Sequence, residues 1–176
     1  MATEPFVVPV GRLRRSHTQT QHEVRRGEVA RAGPRDEAVD PGRSVIPAGT
    51  EAEVDVVLTP FEGGLEVVGT VTAPWEGICR RCAVPVSGVL SVKVRERFGD
   101  PAGGATADED FYPIVDDHID LGPLVRDAIV LELPMAPLCR EDCAGLCPQC
   151  GADRNEGPCG CVAPTDPRWA NLDVLR

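Results

Sequence analysis

Eight cysteines set in four close pairs constrain this 176-residue chain more than any other feature. Cys79-Arg-Arg-Cys82 stands near the middle of the sequence. The other six crowd together further on, as Cys139-Arg-Glu-Asp-Cys143, Cys147-Pro-Gln-Cys150 and Cys159-Gly-Cys161. Two thiolates a few residues apart grip one tetrahedral zinc with little loop-closure cost, and two such pairs complete a closed four-sulfur shell. Four pairs therefore imply two structural zinc sites, or one if the tight Cys159-Gly-Cys161 pair leaves a thiol spare.

Disulfides would be the alternative use of paired cysteines, and compartment decides between them. No apolar run approaches the ~20 residues that span a bilayer, and residues 1–15 lack the apolar stretch of a secretory signal. The expected location is the cytosol, where thiols stay reduced and paired cysteines serve as metal ligands or redox centres. A redox Cys-x-x-Cys belongs at a strand-to-helix junction. Around Cys79 and Cys82 the pattern is β on both sides, so metal is the expected role.

That β pattern begins at Glu51. Ala52, Val54, Val56 and Leu58 alternate with Glu51, Glu53, Asp55 and Val57, one face apolar and the other mostly acidic. A break over residues 59–64, rich in glycine, permits a reversal into a second strand over 65–75. A third strand, 86–98, points Leu90, Val92, Val94 and Phe98 one way and Ser91, Lys93, Arg95 and Arg97 the other. Short strands are also expected over 6–10 and 111–115. Asp120 then caps a helix over 121–133, stopped by Pro134, whose Leu121, Leu124, Val125, Ala128 and Ile129 form one apolar stripe. Residues 11–44 read as irregular, with a helical turn near 20–26, and 99–110 as a mobile loop. At the C-terminus Asp166 can cap a last helical turn carrying Trp169, Leu172 and Leu175. The expected fold is α+β: a mainly antiparallel sheet or partial barrel with one packed helix. The body spans 1–135, and a cysteine-rich zinc lobe with its tail spans 136–176.

Four pairs can be joined into two sites in three ways. Cys79 and Cys82 with Cys139 and Cys143 would clamp a strand connection to the end of the helix. Cys147, Cys150, Cys159 and Cys161 would then close locally, within fifteen residues. Structural zinc contributes on the order of 10 kcal/mol of apparent folding free energy at neutral pH. A closed all-sulfur shell leaves no position for water or substrate, which makes such sites structural and not catalytic.

Charge bounds the partners. The net charge is −10, but residues 1–43 carry eight arginines against six acids, and the remainder ten basic residues against twenty-two acidic ones. The acidic body disfavours indiscriminate binding to phosphates. Arg12, Arg14, Arg15, Arg25 and Arg26 are the candidate RNA-facing residues, against the plainer reading of a solvated face. Asp108, Glu109, Asp110, Asp116 and Asp117 could collect Mg²⁺ but read as solvated surface, and His17, His22 and His118 as exposed loop residues. No hydrolase, zinc-protease or phosphate-loop motif is present, so a non-enzymatic role is expected, without a small-molecule substrate. The alternatives are a zinc-ribbon regulator and a thiol-redox protein.

Three segments taken together carry a family resemblance. They are Ile-Cys79-Arg-Arg-Cys82-x-x-Pro-Val, the Asp-Leu-x-x-Leu-Val-Arg-Asp-Ala-Ile-x-Leu-x-Leu-Pro run from Asp120 to Pro134, and Cys139-x-Glu-Asp-Cys143-x-Gly-Leu-Cys147-Pro-x-Cys150-Gly-x-Asp-x-Asn. Over roughly residues 45–161 the chain resembles the bacterial YceD family of large ribosomal RNA subunit accumulation proteins. The resemblance implies a non-enzymatic factor needed for large-subunit ribosomal RNA to accumulate or mature. The implied partners are ribosomal RNA or a large-subunit precursor particle, and a small zinc-ribbon ribosomal protein whose gene often neighbours the family's. Some relatives keep the first Cys-x-x-Cys and lack the cysteine-rich tail, which implies a separable second site.

Overall fold

The computed structural model describes residues 5–16, 19–29, 44–47, 49–99, 111–162 and 168. Its framework is one seven-stranded sheet in the order β1-β7-β6-β5-β4-β3-β2. The centre is a long hairpin pair: β3 (Glu51–Phe61), β4 (Gly64–Ile78) and β5 (Pro85–Gly99). The period-two pattern dictates this directly, because Ala52, Val54, Val56 and Leu58 all turn inward and are buried. The expected break at Thr59 is corrected: β3 continues to Phe61, paired with Gly64. Only Glu62 and Gly63 form the turn, with Gly63 at φ +95°, a conformation glycine adopts without a Cβ clash.

Residues 11–44 are corrected too, in the part that is described. Gly11–Ser16 is a short helix, α1, and Gln21–Glu28 is a strand, β2, not a helical turn. Thus, among the described residues, two helices accompany the sheet where one packed helix was expected. Strand β2 escaped sequence reasoning because its only large apolar residue is Val24, which is half exposed. It is held by its antiparallel ladder to β3, from Gln21↔Leu58 to Glu28↔Glu51. An ion pair runs across that ladder from Arg26 to Glu53 (2.5 Å), and His22 Nε2 shares a hydrogen bond with Asp55 (2.6 Å). His22 is therefore a strand residue and not a loop residue.

The sheet is mixed and not a pure meander. Strand β6 (Tyr112–Val115) lies parallel to β5 through Phe98↔Tyr112 and Gly99↔Pro113. It turns through Asp116 and Asp117, at φ +48° and +59°, into β7 (His118–Asp120). Strand β1 (Val7–Pro9) then pairs antiparallel with β7. A Cβ on Gly27 of β2 would meet Pro5, so the two ends of the sheet approach one another and the sheet curls as a half-barrel.

Helix α2 (Gly122–Glu132) lies on the concave side, with Leu121, Leu124, Val125 and Ile129 buried as the stripe demands. Its start differs in detail from the expectation. Leu121 occupies the capping position, and the Asp120 carboxylate accepts the Gly122 N–H at 2.8 Å. The core is aliphatic, with Phe98 its largest fully buried side chain. No helix among the described residues is long and apolar enough to cross a membrane. The 99–110 loop, apart from Gly99, and the helical turn at Trp169, Leu172 and Leu175 lie outside the described residues, as does His17.

Candidate metal centres

The β4–β5 hairpin ends in a loop, residues 79–84, that presents Cys79 and Cys82 side by side. The Cys79 N–H donates to the Val84 carbonyl and the Ala83 N–H to the Cys79 carbonyl, both at 2.9 Å, with Ala83 forced to φ +60°. Helix α2 stops before Pro134, and the segment beyond it runs back across this loop, where the Arg80 N–H donates to the Pro137 carbonyl at 2.9 Å. That path delivers Cys139 and Cys143 to the two hairpin cysteines.

The result is a four-sulfur cluster. The Cys79 and Cys143 sulfurs lie 3.9 Å apart and those of Cys82 and Cys139 3.6 Å apart. All four lie within 4.8 Å of one another. A tetrahedron with metal–sulfur bonds of ~2.3 Å has edges of ~3.8 Å, so this donor set fits a metal ion. Cys79, Cys82 and Cys143 are buried, while Cys139 forms the exposed corner.

Proton affinities split across the cluster. Burial pushes the Cys79 thiol up, but backbone amides of Cys139, Cys82 and Arg81 outweigh it and bring it down to about 6. Cys139, although exposed on its outer side, is driven up to about 12 by desolvation of its sulfur within the cluster and by its three thiol neighbours. The split has a simple cause. Amides aimed at the sulfurs stabilise some thiolates, but four negative charges in so small a space repel, and full deprotonation needs a cation.

The second cluster gathers Cys147, Cys150, Cys159 and Cys161, again with every sulfur within 4.8 Å of the others. Cys147-Pro-Gln-Cys150-Gly repeats the design of the first loop. The Gly151 N–H donates to the Cys147 carbonyl and the Cys147 N–H to the Ala152 carbonyl, both at 2.8 Å, with Gly151 at φ +74°. Backbone amides of Cys150 and Gln149 lower the Cys147 thiol to about 6. Cys161 is pushed up to about 11, first by the Cys150 thiol and then by burial. Both members of Cys159-Gly-Cys161 belong to the cluster. Neither is spare.

The two clusters are joined by residues that spacing alone did not single out. The Arg81 guanidinium donates to the carbonyls of Cys143 (2.9 Å) and Glu141 (3.1 Å), and the Arg81 carbonyl accepts the Leu146 N–H at 2.8 Å. Gly145 sits at φ +71°, where a Cβ would lie 2.8 Å from that same carbonyl oxygen. Asn155 belongs to the loop between Cys150 and Cys159, yet its Nδ2 donates to the Cys143 sulfur at 3.5 Å and to Asp153 at 2.6 Å. Its Oδ1 accepts from the Ala144 N–H and from Arg140, each at 2.7 Å. The second cluster's loop thus completes the surroundings of the first. The only sequence signal was the Asp-x-Asn that follows Cys150-Gly.

The candidate RNA-facing arginines lie on two elements. Arg12, Arg14 and Arg15 share α1, and Arg14 and Arg15 both reach Asp117, at 3.1 and 3.4 Å. Arg25 and Arg26 lie on β2, paired with Glu23 (2.7 Å) and Glu53 (2.5 Å). Asp116 and Asp117 form the β6–β7 turn, and Asp108, Glu109 and Asp110 lie outside the described residues. His118, exposed on β7, approaches the Asp116 carbonyl with Nδ1 at 2.7 Å.

Residues 67–176, from β4 through both clusters, match the model of the family described as large ribosomal RNA subunit accumulation protein YceD. The chain belongs to the YceD family. A Mycobacterium tuberculosis protein, uncharacterized by name, is 42% identical over 130 residues, covering 72% of this chain and 63% of its own. YlbN of Bacillus subtilis is 28% identical over 112 residues, 63% of each chain. A chloroplastic YCED homolog 1 of Zea mays, named a large ribosomal RNA subunit accumulation protein, is 29% identical over 136 residues, 60% of this chain and 46% of its own. This YceD chain therefore spans less than two thirds of the length of the relatives it matches. No solved structure gives a significant match.

Proposed function

We propose that this protein is a non-enzymatic factor in the accumulation of large-subunit ribosomal RNA, held in shape by zinc in two structural sites. The observation that carries this reading is the pair of closed four-cysteine clusters inside a YceD chain. Four sulfurs around one ion leave no position for substrate, and zinc prefers such a shell. The first site would pin the tip of the β4–β5 hairpin to the segment after α2, and the second would hold the loop that carries Asn155.

The partner is ribosomal RNA, a basic ribosomal protein, or a precursor particle containing both. Twenty-two acids against ten basic residues after position 43 suit a basic protein. Arg12, Arg14 and Arg15 on one short helix are the surface offered to RNA. A thiol-redox reading has one observation in its favour, the low-lying thiols of Cys79 and Cys147. Both are buried, at 2% and 6% exposure, which shields them from a bulky disulfide substrate.

The test is depletion of the protein from its host, followed by the ratio of large- to small-subunit ribosomal RNA and by rescue with variants. The ratio should fall and be restored by wild type, and Cys79→Ser with Cys82→Ser should not restore it. An unchanged ratio on depletion would overturn the proposal.

A further inference from the structure

Among the described residues, strand β5 has a free edge. One side is bonded to β4 along its length, from Ile78↔Pro85 to Gly64↔Gly99. On the other side, among the described residues, it meets only β6, at Phe98 and Gly99. Most of that side thus presents backbone N–H and C=O groups without a ladder partner, a ready template for another strand.

A groove of about 530 Å³ runs beside this edge. One wall is five consecutive residues of β5, 92–96. Successive side chains of a strand point to opposite faces, so a hollow that touches all five lies along the edge and not over a face. Helix α2 makes the opposite wall through Leu124, Ala128 and Leu131, and Tyr112 lines it too. Leu131 is 84% exposed, although the opposite stripe of the same helix is buried.

We propose that this groove receives an extended segment of a protein partner, which joins the sheet as a strand beside β5. The main chain would be recognised by the free edge, and side chains by alternation. On the concave face the segment's residues would meet Val92, Val94 and Leu131, which calls for apolar side chains. On the outer face they would lie beside Lys93, Arg95 and Arg97, all exposed, which calls for acids. Lys93 makes no ion pair among the described residues, whereas Arg95 is held by Glu66 at 2.9 Å. The occupant is therefore a segment in which apolar and acidic residues alternate.

Charge disfavours the other occupants. Antiparallel pairing of β5 with a second copy would set two Lys93, Arg95, Arg97 rows side by side, and like charges across strands are destabilising. Glu96, on the Val92 and Val94 face, and Asp127 and Glu132 on α2 line the groove and repel a polyanion such as nucleic acid, whereas the acids of an alternating segment lie on the outer face beside Lys93 and Arg95. Of the sheet's two terminal strands, β2 is blunted by charged side chains, with Glu23 and Arg25 on its more buried face, and β1 is only three residues long and ends at Pro9. This inference is independent of the metal centres and of the ribosomal reading.

The test uses the full chain and two labelled ten-residue peptides, one alternating valine and glutamate and the other valine and lysine. Fluorescence anisotropy should show saturable binding of the glutamate peptide, with the lysine peptide at least about tenfold weaker. Hydrogen exchange should slow at the amides of residues 91–97. Leu131→Asp, at an exposed position, should weaken the glutamate peptide about tenfold or more, and Lys93→Glu should reverse the preference. Equal binding of both peptides, no saturation up to about 1 mM, or protection at β2 would overturn the proposal. Self-association abolished by Leu131→Asp would assign the groove to a second copy and overturn it equally.

Discussion

Asn155→Ala tests whether the second cluster's loop supports the first. Of the four hydrogen bonds made by this side chain, those to Arg140 and Asp153 touch no cysteine of the first cluster. Those to the Cys143 sulfur and the Ala144 N–H bear on a candidate metal ligand and its neighbour. At about 1 kcal/mol each their loss comes to about 2 kcal/mol, a factor of about 30 in metal affinity. Removal of a partner that orients a metal ligand typically costs about 10–100-fold. A competition titration against a chromophoric chelator should show two zinc ions in wild type and one of them released about 30-fold more readily in the variant. Cobalt substitution assigns that ion, because Cys143→Ser should remove the same thiolate absorption band. Asn155→Asp should be worse than alanine, since it places a carboxylate beside the Cys143 thiolate. Affinity within about threefold of wild type, with the sheet's circular dichroism intact, would refute the reasoning.

Three further predictions follow from named contacts. Gly145→Ala places a Cβ against the Arg81 carbonyl and strains a positive φ, so its thermal midpoint should drop by an amount equivalent to about 1–3 kcal/mol. Chelation should raise hydrogen exchange at residues 139–162 and spare β3 and β4, because the main core and the buried cysteines form separate clusters. A wholesale loss of the sheet would contradict that separation. Tyr112, the only tyrosine, is raised from 10.0 to about 12 by burial and by its 2.9 Å hydrogen bond to Asp127. Its contribution to stability is complete below about pH 10 and is lost as pH rises towards 12. Ultraviolet titration of the tyrosinate should report that midpoint, and Asp127→Asn should lower it.

The readable parts of this protein are those whose cause is local. Alternation placed Val54, Val56 and Leu58 in the core of β3, and helical spacing placed Leu124, Val125 and Ile129 under α2. The long central strands were visible for the same reason: one buried face leaves a period-two trace. Strand β2 left none, because Gln21, Glu23 and Arg25 occupy its more buried positions and its stability comes from a ladder to β3. The parallel placement of β6 was equally hidden, since strand direction depends on where the chain returns after a long connection and not on the residues that pair.

The cysteines divide in the same way. Spacing by itself determined that there are four cysteine pairs able to grip a metal, because two thiolates a few residues apart can reach one ion whatever the surrounding fold. Which pair meets which was decided by tertiary structure: α2 and the segment beyond it carry Cys139 and Cys143 back to a hairpin tip some sixty residues earlier in the chain. Tertiary structure alone also set Arg81, Gly145 and Asn155 between the clusters. A side-chain hydrogen bond across such a separation leaves no periodicity in sequence, and its partners become neighbours only when the chain has folded.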